Sequence, residues 1–359
     1  MKILYDTQTF DLQRFGGISR YFYKLTKNSE NSFDYEIAGK YSENIYIEEI
    51  SKIRKFPIKN EFKGKGRIEK YFNDRYLYKA IQREDFDIYH PTYYFIKRYP
   101  EKRPTIITAH DFIHELFPEY YINRPDIIEA KKDALHKANR IIAISESTKK
   151  DLLNIYSDIN ENKIDVVYHA VEWEIGGSHS MKMQINRPYI LFTGQRQTYK
   201  NFTLFAKAIA PLLIKYDMNL ICTGSPFTKE EKEFLYNVNI LDRCINKFVD
   251  EEELRALYEH AICFVFPSKY EGFGFPILEA FASRCPTVIA KASCFPEIAG
   301  NASLFFDPND EASIRDSVEL VLNSQDTRNS LIEKGIIRLQ EYTMKKMIDT
   351  TVSVYAKLL

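Results

Sequence analysis

The sequence predicts an α/β protein built from two doubly wound domains of similar size. Short β-rich runs alternate with helical patterns, which is typical of a parallel sheet covered by helices on both faces. The alternation lapses after Val171, in a polar stretch that contains glycines, and restarts at Tyr189. The length of 359 residues also suits two domains of roughly 150 residues each. We therefore expect one domain at 1–172, a second at 187–341, and a cleft between them.

Two sequence patterns predict the strands and helices of the first half. Runs rich in β-branched and aromatic residues, bounded by turn-forming residues, predict strands. These strands are Lys2–Tyr5, Tyr35–Ala38, Ile88–His90, Thr105–Ala109, Arg140–Ile144 and Ile164–Val167. Apolar residues at helical spacing predict the helices between them. These helices are Ile18–Lys27, Ile68–Gln82, Asp126–Ala138 and Ser147–Tyr156.

The second half repeats the same alternation of strands and helices. Its predicted strands are Tyr189–Thr193, Leu220–Thr223, Ile245–Val249, Cys263–Pro267 and Thr287–Ala290. Its predicted helices are Phe202–Lys215, Lys229–Asn237, Glu251–His260 and Pro276–Ser283, and the chain from Asp310 onwards is predicted to be helical to its end. In doubly wound sheets ligands bind beyond the carboxyl ends of the strands, so the residues that directly follow strands are the first candidates for a site.

Composition and charge exclude several classes of protein. Apolar residues make up 45% of the chain, which excludes wholesale disorder. The 50 Lys and Arg balance the 50 Asp and Glu, so binding of nucleic acid through bulk charge is not expected. No apolar run approaches the roughly 18–20 residues that span a bilayer. The first residues resemble a buried strand rather than a signal peptide, and the five cysteines lack C-x-x-C spacing. We therefore expect a cytoplasmic protein.

The segment 266–280 carries the strongest functional signal. It follows a predicted strand, contains two glycines in a loop and places Pro276 where the next helix starts. Unpaired amides from about Phe275 to Leu278 are expected to form an anion site. Glu271 and Glu279 border that site, so the segment suits a ligand with both phosphate and hydroxyl groups, such as a nucleotide sugar. The alternative is an ordinary surface helix with two solvated glutamates.

A second segment with the same placement is 194–202. It also follows a strand and precedes a helix, with Asn201 in a position to cap that helix. Arg196 offers a planar fork of donors and Lys200 a compact charge, a pair that suits a diphosphate. The alternative is two exposed basic residues beside a turn.

Taken together, these motifs resemble the retaining glycosyltransferases of family 4, which have the GT-B fold of two Rossmann-like doubly wound domains facing across a cleft. The resemblance is carried by the E-x7-E pair Glu271 and Glu279, by Arg196, Lys200 and Asn201, and by the segment Phe295–Ala302. The segments Gly16–Tyr21 and His110–Pro118 resemble bacterial polysaccharide members, mannosyltransferase-like ones in particular. The resemblance also implies that the C-terminal helix, about 342–359, packs back on the first domain.

The resemblance implies a role for each matching residue. Glu279 would hold the ribose hydroxyls, Glu271 the donor hexose, and Arg196 with Lys200 the leaving β-phosphate. His110 would lie beside the donor sugar and the acceptor, either as a general base or in a binding role. The implied substrate-binding positions are Gly16, Gly17, Asp111, Thr223, Gly224, Phe248, Val249, Phe273, Gly274, Phe275, Pro276, Ile277 and Glu279. Among these, Gly17 would approach the diphosphate, and Thr223–Gly224 and Phe248–Val249 would flank the nucleoside.

Two further segments bear on metals and partners. Asp85-Phe86-Asp87 imitates a D-x-D metal signature, but it directly precedes a predicted strand, so we interpret it as a helix–strand turn and expect no metal and no cofactor beyond the nucleotide-sugar donor. The stretch Lys52–Lys70 holds eight basic and two acidic residues, a local charge of +6. We expect it to meet an anionic inner membrane surface or a lipid-linked diphosphate acceptor. The alternative is a solvated loop.

The functional hypothesis is therefore a retaining glycosyltransferase of cell-surface polysaccharide or O-antigen synthesis. It would move a hexose or deoxyhexose from a nucleotide-diphosphate sugar, GDP-mannose-like by resemblance, to a growing glycan or lipid-linked acceptor. Two alternatives stay open at this point. One is a nucleotide-sugar epimerase or hydrolase on the same fold, and the other is a non-catalytic sugar-binding protein.

Overall fold

The computed structural model describes residues 1–30, 32–58, 62, 64–177, 179 and 185–359. The chain divides into two compact units. The first unit comprises Met1–His169 together with Met344–Leu359, and the second comprises Ala170–Thr343.

Every strand pair in the first unit is parallel. The strands are β1 (Lys2–Tyr5), β2 (Asp34–Ile37), β3 (Ile88–Tyr89), β4 (Ile106–Ala109), β5 (Arg140–Ala143) and β6 (Ile164–Val166). They form sheets in the orders β2-β1-β3 and β4-β5-β6, linked by a parallel bridge between Tyr89 and Thr105. The helices are α1 (Gln8–Leu12), α2 (Gly17–Lys27), α3 (Ile47–Ile50), α4 (Lys65–Arg83), α5 (Ile113–Leu116), α6 (Pro125–Lys137) and α7 (Glu146–Ile155).

The second unit contains one parallel sheet with the order β12-β11-β10-β7-β8-β9. Its strands are β7 (Tyr189–Phe192), β8 (Asn219–Thr223), β9 (Cys244–Lys247), β10 (Cys263–Phe266), β11 (Thr287–Ala290) and β12 (Leu304–Phe306). Its helices are α8 (Phe202–Lys215), α9 (Lys229–Asn237), α10 (Glu251–His260), α11 (Phe275–Ala282), α12 (Phe295–Ala299), α13 (Glu311–Asn323) and α14 (Gln325–Leu339). Strand order reverses between β7 and β10, and ligands of such sheets bind at this switch point.

The last helix, α15 (Met344–Ala356), belongs to the first unit. The Tyr355 hydroxyl lies 2.9 Å from the Tyr5 hydroxyl and 2.8 Å from Nδ1 of His90. All three side chains are buried. Just beyond the helix, Lys357 donates to Asp165 at 2.5 Å. Buried polar groups need such partners, so this network fixes where the helix can pack.

The predicted fold class is confirmed, and three predicted helices, Phe202–Lys215, Lys229–Asn237 and Glu251–His260, are confirmed to the residue. The predicted strand Ile245–Val249 is wrong at its end, because pairing with β8 stops at Lys247. The helical tail predicted from Asp310 is confirmed, and it consists of the three helices α13, α14 and α15. Ser324 ends α13 and caps α14 by accepting from the Thr327 amide at 3.1 Å.

Some short elements have no sequence signal that rises above the surrounding pattern. The helices α1, α3, α5 and α12 contain four or five residues each, and β12 contains three. Packing against neighbours rather than propensity sustains helices this short. Among the described residues, the structure contains no helix with the length and apolar character needed to cross a membrane.

Candidate active site

Two loops meet at the switch point of the second unit. The loop after β7 and the loop after β10 are joined by the Lys269 amide, which donates to the Tyr199 carbonyl at 2.8 Å. Their side chains also meet, since Nζ of Lys200 lies 2.5 Å from Oε1 of Glu271. These side chains are 17% and 18% exposed, so a ligand can reach them. The structure thus brings together two residues that the sequence predicted for the site.

The loop that carries Glu271 is stabilised by a hydrogen bond from Ser293 and by a glycine in a left-handed conformation. Oγ of Ser293 donates to the Glu271 carbonyl at 2.6 Å. Gly274 closes the loop with a φ of +91°, a left-handed conformation that favours glycine. A Cβ at Gly274 would meet both Ile277 and Phe295 at 3.2 Å. Glycine is therefore required here for its backbone angle and for the space that its neighbours occupy.

The start of α11 offers fewer amides than the sequence suggested. Pro276 has no N–H, and the amide of Ile277 already donates to the Gly274 carbonyl at 3.0 Å, so the prediction of an unpaired amide is wrong at Ile277. Phe273 and Ile277 are buried in the core. Phe275 starts the helix, and Glu279 lies buried one turn inside it.

Arg196 makes its hydrogen bonds to Glu231 and to the loop after β8. Its Nε donates to Glu231 at 3.0 Å, and its Nη2 donates to Glu231 at 3.2 Å. The same Nη2 donates to the carbonyls of Ser225 at 2.6 Å and Pro226 at 3.0 Å. The side chain is 4% exposed. A role of Arg196 toward the leaving phosphate therefore stays a prediction.

Asn201 also differs from its predicted role. It stands at the N-cap position of α8 with a φ of +58°, but its side chain makes no capping hydrogen bond. Its Nδ2 instead donates to the Pro308 carbonyl at 2.7 Å and so ties the loop after β7 to the loop after β12.

The positions predicted to flank a nucleoside lie at the carboxyl ends of β8 and β9. Thr223 is the last residue of β8 and is buried. Gly224 follows with a φ of +107°, and a Cβ there would lie 3.2 Å from the Gly194 carbonyl oxygen. Phe248 and Val249 directly follow β9, and Phe248 is 69% exposed. An exposed aromatic side chain beside a glycine turn can stack on a planar ligand.

In the first unit, His110 directly follows β4 and is 6% exposed. Its amide donates to the Tyr94 hydroxyl oxygen at 3.1 Å, while its buried Nε2 has no hydrogen-bond partner within the described part of the chain. Burial lowers the pKa of His110 to about 4, with Asp111 opposing the shift and Lys131 adding to it. The imidazole is therefore neutral at neutral pH.

The segment around His110 rests on a buried ion pair that the sequence did not reveal. Lys131 on α6 is 1% exposed and donates to the Asp111 carbonyl and to Glu115, each at 2.9 Å. The Asp111 carboxylate accepts from the Ile113 amide at 3.2 Å and stays partly exposed. A lysine on an amphipathic helix is normally solvated, so no sequence signal distinguishes Lys131 from its neighbours.

The two glycines before α2 differ in their surroundings. Gly16 is extended, and a Cβ there would clash with the Gln13 side chain at 2.2 Å. Gly17 starts α2, and a Cβ there would meet nothing within 4 Å. Gly17 is thus the one with open space beside its backbone.

The acidic signature Asp85-Phe86-Asp87 lies between α4 and β3, which confirms the predicted helix–strand turn. Asp85 pairs with the Lys2 side chain at 3.2 Å, and Asp87 accepts from the Lys2 amide at 2.8 Å. No group of three or more potential metal ligands occurs among the residues that the structure describes.

Comparison with known proteins gives two family matches. Residues 15–174 match Glycosyltransferase Family 4, and residues 180–338 match Glycosyl transferases group 1. The O-antigen chain mannosyltransferase RfbU of Salmonella typhimurium is 25% identical over 252 residues, which are 69% of each chain. O-antigen chain mannosyltransferase B of Escherichia coli is 25% identical over 288 residues, covering 75% of this chain and 74% of that protein.

Solved structures show the same fold. HepE of Anabaena, in complex with UDP and glucose, superposes with a TM-score of 0.76 at 16% identity over all of both chains. Sucrose-phosphate synthase of Thermosynechococcus elongatus has a TM-score of 0.76 at 15% identity and covers 100% of this chain and 99% of that one. The chain therefore belongs to the family 4 and group 1 glycosyltransferases and has their GT-B fold.

Proposed function

We propose that this enzyme is a retaining hexosyltransferase of cell-surface polysaccharide synthesis. It moves a hexose or deoxyhexose from a nucleotide-diphosphate sugar, GDP-mannose-like, to a growing glycan or a lipid-linked acceptor. The observation that carries the proposal is the contact between Lys200 and Glu271 at the switch point of the second sheet. The two relatives that are named O-antigen chain mannosyltransferases support the choice of sugar and acceptor.

The Lys200–Glu271 contact places a cation and a hydroxyl-binding carboxylate side by side. A diphosphate leaving group develops negative charge as the glycosidic bond breaks, and a preorganised cation stabilises that charge. Glu271 accepts hydrogen bonds from hexose hydroxyls, and Glu279 accepts those of the ribose. The amides of Phe273 and Gly274 supply further donors in the same loop.

The stereochemical proposal is displacement on one face of the sugar. The diphosphate leaves, positive charge develops at the anomeric carbon, and the acceptor hydroxyl enters from the side that the diphosphate has left. We assign His110 a binding role, because its imidazole is neutral and its buried Nε2 has no hydrogen-bond partner among the described residues. The leaving phosphate takes the acceptor's proton. No cofactor or metal enters this scheme.

The direct test is transfer from labelled nucleotide sugars to a panel of lipid-linked glycans, with the product anomer determined by NMR. Lys200→Ala is expected to lower turnover by about 10²–10³, the usual effect of removing one such donor. Lys207→Ala is the matched control, because Lys207 lies on the exposed side of α8 and pairs with Glu311. Release of free sugar without transfer would indicate a hydrolase, epimerised donor an epimerase, and binding without turnover a sugar-binding protein. Each of these outcomes contradicts the proposal.

We also propose that the enzyme works at the cytoplasmic face of a membrane, which it contacts through the stretch 52–70. Lys59, Glu61 and Lys63 of this stretch lie outside the described residues. Lys65 is not a surface charge, since it is buried and pairs with Glu43 at 2.9 Å. The basic residues that are exposed are Lys52, Arg54, Lys55, Arg67 and Lys70.

Apolar side chains accompany these charges. Ile58 and Ile68 are exposed by 53% and 39%. Anionic vesicles are expected to bind the enzyme, and salt is expected to weaken that binding, because exposed charges are screened. Equal affinity for neutral and anionic vesicles would contradict this second proposal without affecting the first.

A further inference from the structure

We propose that Arg196 is a positioning residue that holds the nucleoside-side loop in shape and does not touch the donor phosphates. The nucleoside-side loop is defined here as residues 224–228, between β8 and α9. The inference rests on the proposed function only in taking the donor to be a nucleotide sugar. Of the two basic residues in the segment 194–202, Lys200 is then the one that contacts the leaving phosphate.

The guanidinium of Arg196 holds three successive residues of the nucleoside-side loop. Its Nη2 donates to the carbonyls of Ser225 at 2.6 Å and Pro226 at 3.0 Å. Its Cζ lies over the ring of Phe227, 4.7 Å from the ring centroid. The planar fork of arginine allows these contacts at once, which a lysine ammonium cannot reproduce.

Glu231 completes the same arrangement from α9. It receives Nε and Nη2 of Arg196 at 3.0 and 3.2 Å, and one of its oxygens also accepts from the Thr228 amide at 2.8 Å. The Glu231 amide in turn donates to the Thr228 hydroxyl at 3.1 Å, which forms a capping box. One carboxylate therefore joins the end of the loop to the start of the helix and to Arg196.

The remaining nitrogen of Arg196 is inaccessible. Nη1 has no partner among the described residues and is fully covered by protein. The other two side-chain nitrogens are already committed to Glu231 and to the loop carbonyls. A phosphate oxygen can reach none of them without displacing the loop. The side chain of Lys200, by contrast, is 17% exposed and has a carboxylate partner that a ligand can replace.

The two roles differ in what they change kinetically. A cation that stabilises the leaving phosphate acts in the transition state, so its loss lowers kcat. A residue that shapes the nucleoside-side loop acts equally on ground and transition states, so its loss raises KM for the donor and leaves kcat nearly unchanged. The same loss weakens binding of a nucleoside diphosphate that carries no sugar.

The test compares Arg196→Lys, Glu231→Gln and their double variant, with Arg243→Lys as the matched control. Arg243 pairs with Asp217 at 2.7 Å, away from this loop, and its replacement is expected to change nothing. Arg196→Lys is expected to raise donor KM and the Kd for nucleoside diphosphates by about 10- to 100-fold, with kcat within about 2-fold. Glu231→Gln is expected to act in the same direction, and the double variant to be no worse than Arg196→Lys. A fall in kcat at unchanged KM, with Glu231→Gln silent, would overturn the inference.

Hydrogen exchange in the free enzyme separates this inference from the proposed function. Arg196→Lys and Glu231→Gln are expected to speed amide exchange in residues 224–228 and to leave residues 267–274 unchanged. Unaltered exchange in the nucleoside-side loop would overturn the inference, whatever the donor is. If exchange quickens as expected but the wild-type enzyme binds no nucleoside diphosphate, the proposed function fails while the positioning role stands.

Discussion

Lys131→Met is expected to destabilise the first unit strongly, because it leaves a buried carboxylate without its counter-charge. Nζ of Lys131 lies 2.9 Å from Glu115 and 2.9 Å from the Asp111 carbonyl, and the two charged side chains are 1% and 6% exposed. Removing one partner of a buried pair costs about 3–5 kcal/mol. That is a large share of the roughly 5–15 kcal/mol that stabilises a typical domain.

Urea unfolding followed by far-ultraviolet circular dichroism measures this loss. The single tryptophan, Trp173, lies in the second unit, so its fluorescence follows that unit separately. Lys132→Met is the matched control, since Lys132 is the exposed neighbour on the same helix and should change stability by no more than about 0.5 kcal/mol. Lys131→Met/Glu115→Leu should recover most of the loss, because no buried charge remains. A single variant within about 1 kcal/mol of wild type would refute the reasoning.

Three further outcomes are expected. Burial lowers the pKa of His110 from 6.5 to about 4 and that of His90 to about 3, so below pH 6.5 the unfolded chain binds more protons than the folded chain. Urea unfolding should therefore show a free energy of unfolding that is about 2 kcal/mol lower per histidine at pH 5 than at pH 7.5. Equal stabilities at the two pH values would contradict this. Gly274→Ala forces a side chain into a left-handed conformation against packed neighbours, and calorimetry should show weaker nucleotide-sugar binding; unchanged affinity would argue against strain in this loop. Tyr355→Phe removes a shared partner from Tyr5 and His90 and should cost about 1–3 kcal/mol in urea unfolding, and a neutral effect would mean that water replaces the hydroxyl.

The fold was predictable because hydrophobic periodicity and the residues that end helices and strands are local properties of the sequence. Alternating strands and helices specify parallel sheets, and the predicted helix Phe202–Lys215 agrees with the structure at both ends. Where pairing with a neighbouring strand determines the end of a strand, the local sequence pattern does not predict that end. Phe248 and Val249, which follow β9, are residue types that favour strands, yet the strand ends at Lys247 because β8 offers no further partner there.

The part of the candidate site that was predictable consists of residues that directly follow strands. Lys200 and Glu271 both lie in loops that follow neighbouring strands, so the topology alone brings them close. The partner of Arg196 was not predictable, because Glu231 is 35 residues away and its capping position gives no indication of a second bond. Lys131 was missed for the same reason, since burial of a charge depends on contacts distant in the sequence.

Two ion pairs, Lys131 with Glu115 and Arg196 with Glu231, each support a loop that follows a strand. Burying two charges costs desolvation energy that their attraction rarely exceeds, so such pairs are poor candidates for stabilising a fold. Each pair here also donates to backbone carbonyls of a loop that follows a strand: Lys131 to Asp111, and Arg196 to Ser225 and Pro226. Apolar residues could fill the same volume at lower cost, but they cannot fix a carbonyl in place. The directional bonds to the loops are therefore what these charges contribute, and loop shape, more than stability, is the property expected to change when both charges of either pair are replaced.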